Sequence, residues 1–268
     1  MEEGLKMSKN KSINTWQWAT KTVNCCTGCS HDCLYCYAKE MAVRFKQVTE
    51  SQWPLERIRN KDVYRYHKKY PGRVMFPSSH DITDKNWSAC VVVLDRLFKA
   101  GNEVLIVSKP HFNCIAAICL VFKDYRDKLT FRFSIGSCDD RILSFWEQGA
   151  PNYQERKESL ELAFNQGFET SVSVEPMLDS ANIDTLIGEL LPYVTHSIWI
   201  GKMNHLGRFG NGSDMVLQRE IEKIKRGQTD SIIKSIYQRH KDNPMIRWKK
   251  EIKKVVGLPM ATVPGLDI

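Results

Sequence analysis

From about residue 73 onward, short continuous apolar runs alternate with longer stretches in which apolar positions recur every three or four residues. Arg73 to Pro77, Glu103 to Lys109, Leu129 to Ile135, Glu169 to Val174 and Ser197 to Gly201 are runs of the first kind, the pattern of strands buried on both faces. Between them, Trp87 to Ala100, Asn113 to Tyr125, Gln154 to Asn165 and Ile183 to Tyr193 read as helices, two of them closed by Gly101 and Gly167. Upstream, Trp16 to Cys25 alternates bulky and polar residues as a first strand, and Ala38 to Lys46 reads as a helix. Six strands separated by helices predict an α/β fold in which a parallel sheet is covered by helices. After residue 206 the character changes. Asp214 to Arg226, Asp230 to His240 and Arg247 to Val256 have helical period, and Lys249, Lys250, Lys253 and Lys254 give the last a basic face. The chain divides accordingly into a loose polar tail over 1–14, an α/β unit over 15–206 and a basic helical extension over 207–268.

In such sheets, chemistry collects at the C-terminal ends of the strands. Polar residues stand at each predicted end: Ser78, Ser79 and Asp81; Ser108 and Lys109; Ser134, Ser137 and Cys138; Glu175; and Lys202, Asn204 and His205. Turn residues are commonly polar for solvation alone, so their joint placement carries more weight than any one of them. Residues 205–212 form a glycine-rich loop after the last strand, suited to a lid or a substrate contact. Arg208 in that loop, with Lys202, Asn204 and His205, makes up the candidate substrate contacts.

The cysteines change the picture most. Five of the nine fall within the twelve residues Cys25 to Cys36, too closely spaced to be bridged to one another without strain. Thiolates at this density select zinc or an iron–sulfur cluster. Four-cysteine zinc would use Cys26, Cys29, Cys33 and Cys36, but only three residues separate the two pairs, against roughly 12–20 in zinc patterns. Zinc is therefore the minority reading beside iron–sulfur, and Cys90, Cys114 and Cys119, on predicted helices, read as core residues.

Composition then bounds the partners. With 268 residues, 42% of them hydrophobic, the chain can build a sizeable core. No apolar run approaches the ~18 residues of a membrane span, and Met1 to Lys6 is polar, so neither span nor signal peptide is expected and a reducing cytoplasm is. A net charge of +8 favours an acidic partner, either DNA or RNA or an acidic electron carrier such as a flavodoxin or ferredoxin. Gln47 to Tyr70 mixes aromatic and basic residues, as a stacking surface for nucleic acid or as a solvated connection.

The spacing Cys29-x3-Cys33-x2-Cys36, with aromatic Tyr35 before the last cysteine, resembles the cluster loop of the radical S-adenosylmethionine (SAM) enzymes. Gly28 to Ala38, Ser108-Lys109, Ser134-Ile135-Gly136-Ser137 and Trp146 to Pro151 resemble the spore photoproduct lyase-like branch, often labelled DNA repair photolyases, and Glu175-Pro176-Met177-Leu178 resembles a phage-associated group. These matches run from about Asn24 to Asn204. The resemblance implies a partial (β/α)6 barrel of the TIM type, a [4Fe–4S] cluster held by Cys29, Cys33 and Cys36 with one iron left for SAM, and a 5′-deoxyadenosyl radical that takes hydrogen from a substrate; Cys25 and Cys26, outside that triad, read as strand or packing residues. It implies SAM contacts from Tyr35, Tyr37, Ser78 or Ser79, Asp81, Lys109 on the carboxylate, Ser134 or Ser137 on the ribose, and Glu175 on a ribose hydroxyl or the ammonium. Glu175 as a turn carboxylate is the equal alternative. The branch's hydrogen-donor cysteine is replaced by Phe76-Pro77-Ser78, which argues against repair of the spore photoproduct; Cys138 is the candidate thiol donor, or else a small core residue. A nucleic acid base leads as substrate, with a peptide or small metabolite as the alternative, and a zinc-stapled nucleic-acid-binding protein is the non-enzymatic rival.

Overall fold

The computed structural model describes residues 17–209, 214–263 and 265. Along the chain run β1 (Lys21–Thr22), β2 (Cys26–Thr27), α1 (Tyr37–Arg44), β3 (Arg57–Ile58), α2 (Asn60–Val63), β4 (Val74–Met75), α3 (Trp87–Lys99) and β5 (Val104–Ser108). There follow α4 (Phe112–Val121), β6 (Leu129–Ser134), α5 (Asp140–Trp146), α6 (Tyr153–Asn165), β7 (Glu169–Val174), α7 (Ile183–Leu190) and β8 (Ser197–Ile200). The last part adds α8 (Met215–Gly227), α9 (Asp230–His240), β9 (Ile246–Trp248) and α10 (Lys250–Val256). Seven strands form one sheet in the order β1-β4-β5-β6-β7-β8-β9, every neighbouring pair parallel, while β2 and β3 form a separate antiparallel ribbon. The α/β expectation holds.

The strand order never reverses. Because parallel crossovers are right-handed, successive helices then fall on the same face of the sheet. Side chains divide accordingly: Val104 and Ile106 pack toward the helices in the main core, whereas Leu105 joins Trp18, Met75 and Trp199 on the opposite face. That second face also carries charge. The Arg132 guanidinium lies 4.7 Å from the Trp18 ring centre and 5.6 Å from that of Trp199, and it donates to Ser171 Oγ at 2.9 Å.

Three sequence expectations are corrected. Arg247 and Trp248, read as the start of a helix, belong to β9, which pairs with β8 through Ile198–Ile246, Trp199–Arg247 and Ile200–Trp248. Buried Ile246 and Trp248 alternate with Arg247 in the period of a strand, a signal overshadowed by the lysines that follow. The region after residue 206 therefore supplies a seventh strand as well as helices. Helix α5, unforeseen, starts at the N-cap Asp139, whose carboxylate accepts from Arg141 N at 2.8 Å. The helices expected over 113–125 and 183–193 stop at Val121 and Leu190, each followed by a 3₁₀ turn. The tail over 1–14, Trp16 and Gly210 to Gly212 lie outside the described residues.

Candidate functional site

Between the β2–β3 ribbon and α1, the cysteine loop is held by contacts far away in sequence. Gly28 turns at φ +92°, and a Cβ there would stand 2.6 Å from Trp53 O, so only glycine fits under the ribbon. Cys29 N donates to that same carbonyl at 3.0 Å. Ser30 N and Oγ both donate to Glu56 Oε1, at 3.0 and 2.6 Å, and Glu56 Oε2 accepts from Thr83 Oγ1 and Asn86 Nδ2. Burial works against the Glu56 charge, but these bonds outweigh it and hold the carboxyl below its ordinary range.

The turn after α5 grips the loop from the other side. Leu34 N donates to Trp146 O and Gly149 N to His31 O, both at 2.9 Å. A Cβ at Gly149 would stand 2.1 Å from Ser30 O. Tyr35 OH donates to Glu147, which is ion-paired to the fully buried Arg156; Arg156 also donates to Pro151 O and Ser134 O. Cys36 caps α1, its sulfur accepting from Lys39 N at 3.4 Å.

Within this frame burial pushes the Cys29, Cys33 and Cys36 thiols up, with Cys33 adding to the rise at Cys29 and Cys36 to that at Cys33. Cys26 faces away, its sulfur directed at Thr27 O and Gly28 O, and burial raises it to about 12. Beside the triad, Asp81 receives Ser108 Oγ at 2.8 Å and Lys109 N at 2.7 Å on one oxygen. Its other oxygen faces His31 Nδ1 at 2.9 Å, Cys29 Sγ at 3.8 Å and Lys109 Nζ at 3.8 Å. Burial opposes the Asp81 charge, yet Lys109 and His31 hold it well below the ordinary carboxylate range. Lys109, with its ammonium 5.6 Å from the Tyr35 ring centre, is likewise opposed by burial but pushed well up by the negative charge that Cys33 and Tyr35 would carry if ionised and that Asp81 carries. His31, fully buried, continues through Nε2 to His111 Nε2 at 2.9 Å, and His111 Nδ1 faces Glu155 at 3.5 Å.

No family model matches this chain. Over 172 residues it is 24% identical to "Uncharacterized protein ORF301" of Acidianus two-tailed virus, an alignment that takes in 60% of this chain and 56% of that protein. The chain thus spans little more than half the length of that relative.

The sequence-predicted residues fall into three groups. Cys29, Cys33, Cys36, Tyr35, Asp81 and Lys109 are brought together as described. Ser78 and Ser79 sit next to them, their amides donating to Asn24 Oδ1 at 2.7 and 2.9 Å, and Tyr37 OH reaches Ser78 O. A second wall forms at the ends of β7, β8 and β9. Glu175 pairs with fully buried Lys249 at 3.1 Å, and Asn204 donates to Glu251 at 3.2 Å. Gly201 lies between Glu175 and Lys249, where a Cβ would come within 2.9 Å of each side chain. Arg208 bridges the walls by donating to Tyr35 O and pairing with Glu40 at 3.0 Å, while Lys202 is half-buried and His205 exposed nearby. Ser134 enters through its carbonyl, which accepts from Arg156. Ser137 and Cys138 stand apart: Ser137 Oγ accepts from Asp139 N within the turn, and the acidic groups around Cys138 are Asp179, Glu189 and Asp139. Sequence reasoning gave no role to His31, His111, Glu147 or Arg156, and it put Lys249 and Lys253 on a basic helix face, whereas both are buried. His31, two residues after Cys29, and Glu147, in a turn already singled out, were the available signals.

Proposed function

We propose that the protein is a radical SAM enzyme whose sheet curls into a partial barrel, with Cys29, Cys33 and Cys36 holding a [4Fe–4S] cluster. The observation that carries this reading is the donor set: three thiols on one loop, Cys29 and Cys33 buried and Cys36 half-buried, with Cys26 turned toward backbone carbonyls. Three ligands suit a cluster that keeps one iron for a second molecule, and four-cysteine zinc lacks its fourth donor. The unreversed strand order supports a barrel, because a sheet with helices on one face must bury its other face on itself, as Trp18, Leu105 and Trp199 do.

Bound there, cluster and SAM would supply one-electron cleavage of the sulfonium and hydrogen abstraction from a substrate. The chain's own residues do the rest. Lys109 offers a charged ammonium to the carboxylate of SAM, and Asp81 fixes it from one side while the Tyr35 ring flanks it from the other. Tyr37, Ser78 and Ser79 supply small donors and an aromatic edge, and Ser134 and Glu175 complete the rim. The substrate, for which a nucleic acid base is favoured over a peptide or small metabolite by the net charge of +8, enters past Lys202, Asn204, His205 and Arg208. An acidic flavodoxin or ferredoxin in the cytoplasm provides the electron. No helix among the described residues is long and apolar enough to cross a membrane.

The test is anaerobic reconstitution with iron and sulfide, followed by assay of dithionite-dependent 5′-deoxyadenosine. About four irons per chain with SAM cleavage, both lost in Cys33→Ala, is the expected result. Iron-free protein with no cleavage overturns the reading.

A further inference from the structure

We infer that Cys29, His31 and Asp81 form a mononuclear zinc site of their own, distinct from the three-cysteine set and sharing only Cys29 with it. Their ligand atoms, all buried, lie within 4.8 Å of one another: Asp81 Oδ2 is 2.9 Å from His31 Nδ1 and 3.8 Å from Cys29 Sγ. Zinc bonds of about 2.3 Å to sulfur and 2.0–2.2 Å to nitrogen and oxygen imply ligand–ligand edges of roughly 3.3–3.8 Å in a tetrahedron. The observed edges bracket that range, so the ion needs only small shifts of the side chains.

The chemistry of the three donors agrees. Thiolate, imidazole and carboxylate form a mixed set that suits zinc, and their summed charge of two negatives balances the ion. Zinc would stand between His31 Nδ1 and Asp81 Oδ2 in place of their direct contact, and its binding would release the Cys29 proton. The outer contacts are those of a metal-binding histidine. With Nδ1 on the metal, His31 donates Nε2–H to His111 Nε2 at 2.9 Å, and His111 turns Nδ1–H toward Glu155 at 3.5 Å, which fixes the tautomer of both rings. The other Asp81 oxygen is anchored by Ser108 and Lys109 N, so Oδ2 is the oxygen turned to the ion, with the Lys109 ammonium 3.8 Å away on its outer side. Three protein ligands leave the fourth position to water.

The zinc site stands without the radical SAM reading; the competition between zinc and cluster for Cys29 rests on it. Zinc and iron are therefore measured side by side by elemental analysis on the full-length protein and four variants, with circular dichroism melts confirming that each is folded. Expected are about one zinc per chain in the wild type and in Cys33→Ala/Cys36→Ala, at least a tenfold loss of zinc affinity in His31→Gln and in Asp81→Asn, and a ~10–100-fold loss in His111→Ala. Zinc kept by His31→Gln and Asp81→Asn, zinc lost in Cys33→Ala/Cys36→Ala, or no zinc in the wild type overturns the site. Failure of the cluster shows separately, as a wild type that binds zinc but, once that zinc is stripped with a chelator, still takes up no iron on reconstitution. Where both bind, zinc loaded first lowers iron uptake at least tenfold.

Discussion

Both walls of the strand-end mouth carry a lysine facing a carboxylate, Lys249 fully buried and Lys109 partly so, and the surroundings act on the two pairs with opposite results. On the cysteine-loop wall, Asp81 is held well down and Lys109 well up, so both keep their charge. On the far wall burial raises Glu175 and lowers Lys249, each moving toward its neutral form. The residue types are alike and the carboxylates are similarly enclosed, so the difference lies in the company. Asp81 accepts from a hydroxyl, a backbone amide and an imidazole besides facing Lys109, whereas Glu175 faces Lys249 across Gly201. A buried charge persists where several hydrogen-bond donors share its cost; around Glu175 and Lys249 stand instead the Trp18 ring, 3.9 Å from the ammonium, and a second carboxylate, Glu251.

The largest expected effect breaks the well-supplied wall. Arg156→Met strands Glu147 in the interior and should cost about 3–5 kcal/mol, read as a lower urea midpoint at pH 7. Gly149→Ala comes next: the added carbon meets the Ser30 carbonyl, a backbone atom that cannot swing aside, for roughly 1–3 kcal/mol and a loss of iron uptake, measured on the same samples. A pH series separates the walls by sign. Asp81 has a folded pKa below its unfolded one, so its contribution is complete above about pH 4 and fades as pH falls; Asp81→Asn should flatten the acid limb of the stability profile. Glu175 has a folded pKa above its unfolded one, so acidification through that window favours the fold and Glu175→Gln removes this gain. The smallest effect is expected for Glu175→Gln combined with Lys249→Met, which should be neutral or slightly stabilising in the same urea series. A penalty as large as that of Arg156→Met would mean that the two walls are held in the same way.

Most strands and helices were legible because their hydrophobic patterns are local. Val104 to Ser108 is apolar enough, and Leu129 to Ser134 alternates apolar and polar residues regularly enough, to be read without any knowledge of their neighbours. β9 was not, since three residues before a lysine-rich helix carry too little period, and pairing with β8 decides their state. The site divides in the same way. The cysteines and Lys109 stood out through spacing and resemblance, whereas Arg156 looks like one more cation on a polar helix until Glu147 is set against it. Lys249 was hidden similarly, in a run of lysines, and only Gly201 and Glu175, distant in sequence, distinguish it from its neighbours.

The unequal strand lengths bear on self-association. The sheet's long strands are its inner ones, five and six residues in β5, β6 and β7, while its rims are the two residues of β1 and the three of β9. An exposed rim is a template on which a stray strand from another molecule can add, and two or three residues give such an intruder little to bond to. Lys21 and Arg247 stand on those rims, charges that a docking strand would have to accommodate. The apolar segments of this chain most apt to form fibrils are thus shielded on both sides by strands too short and too charged to recruit another copy.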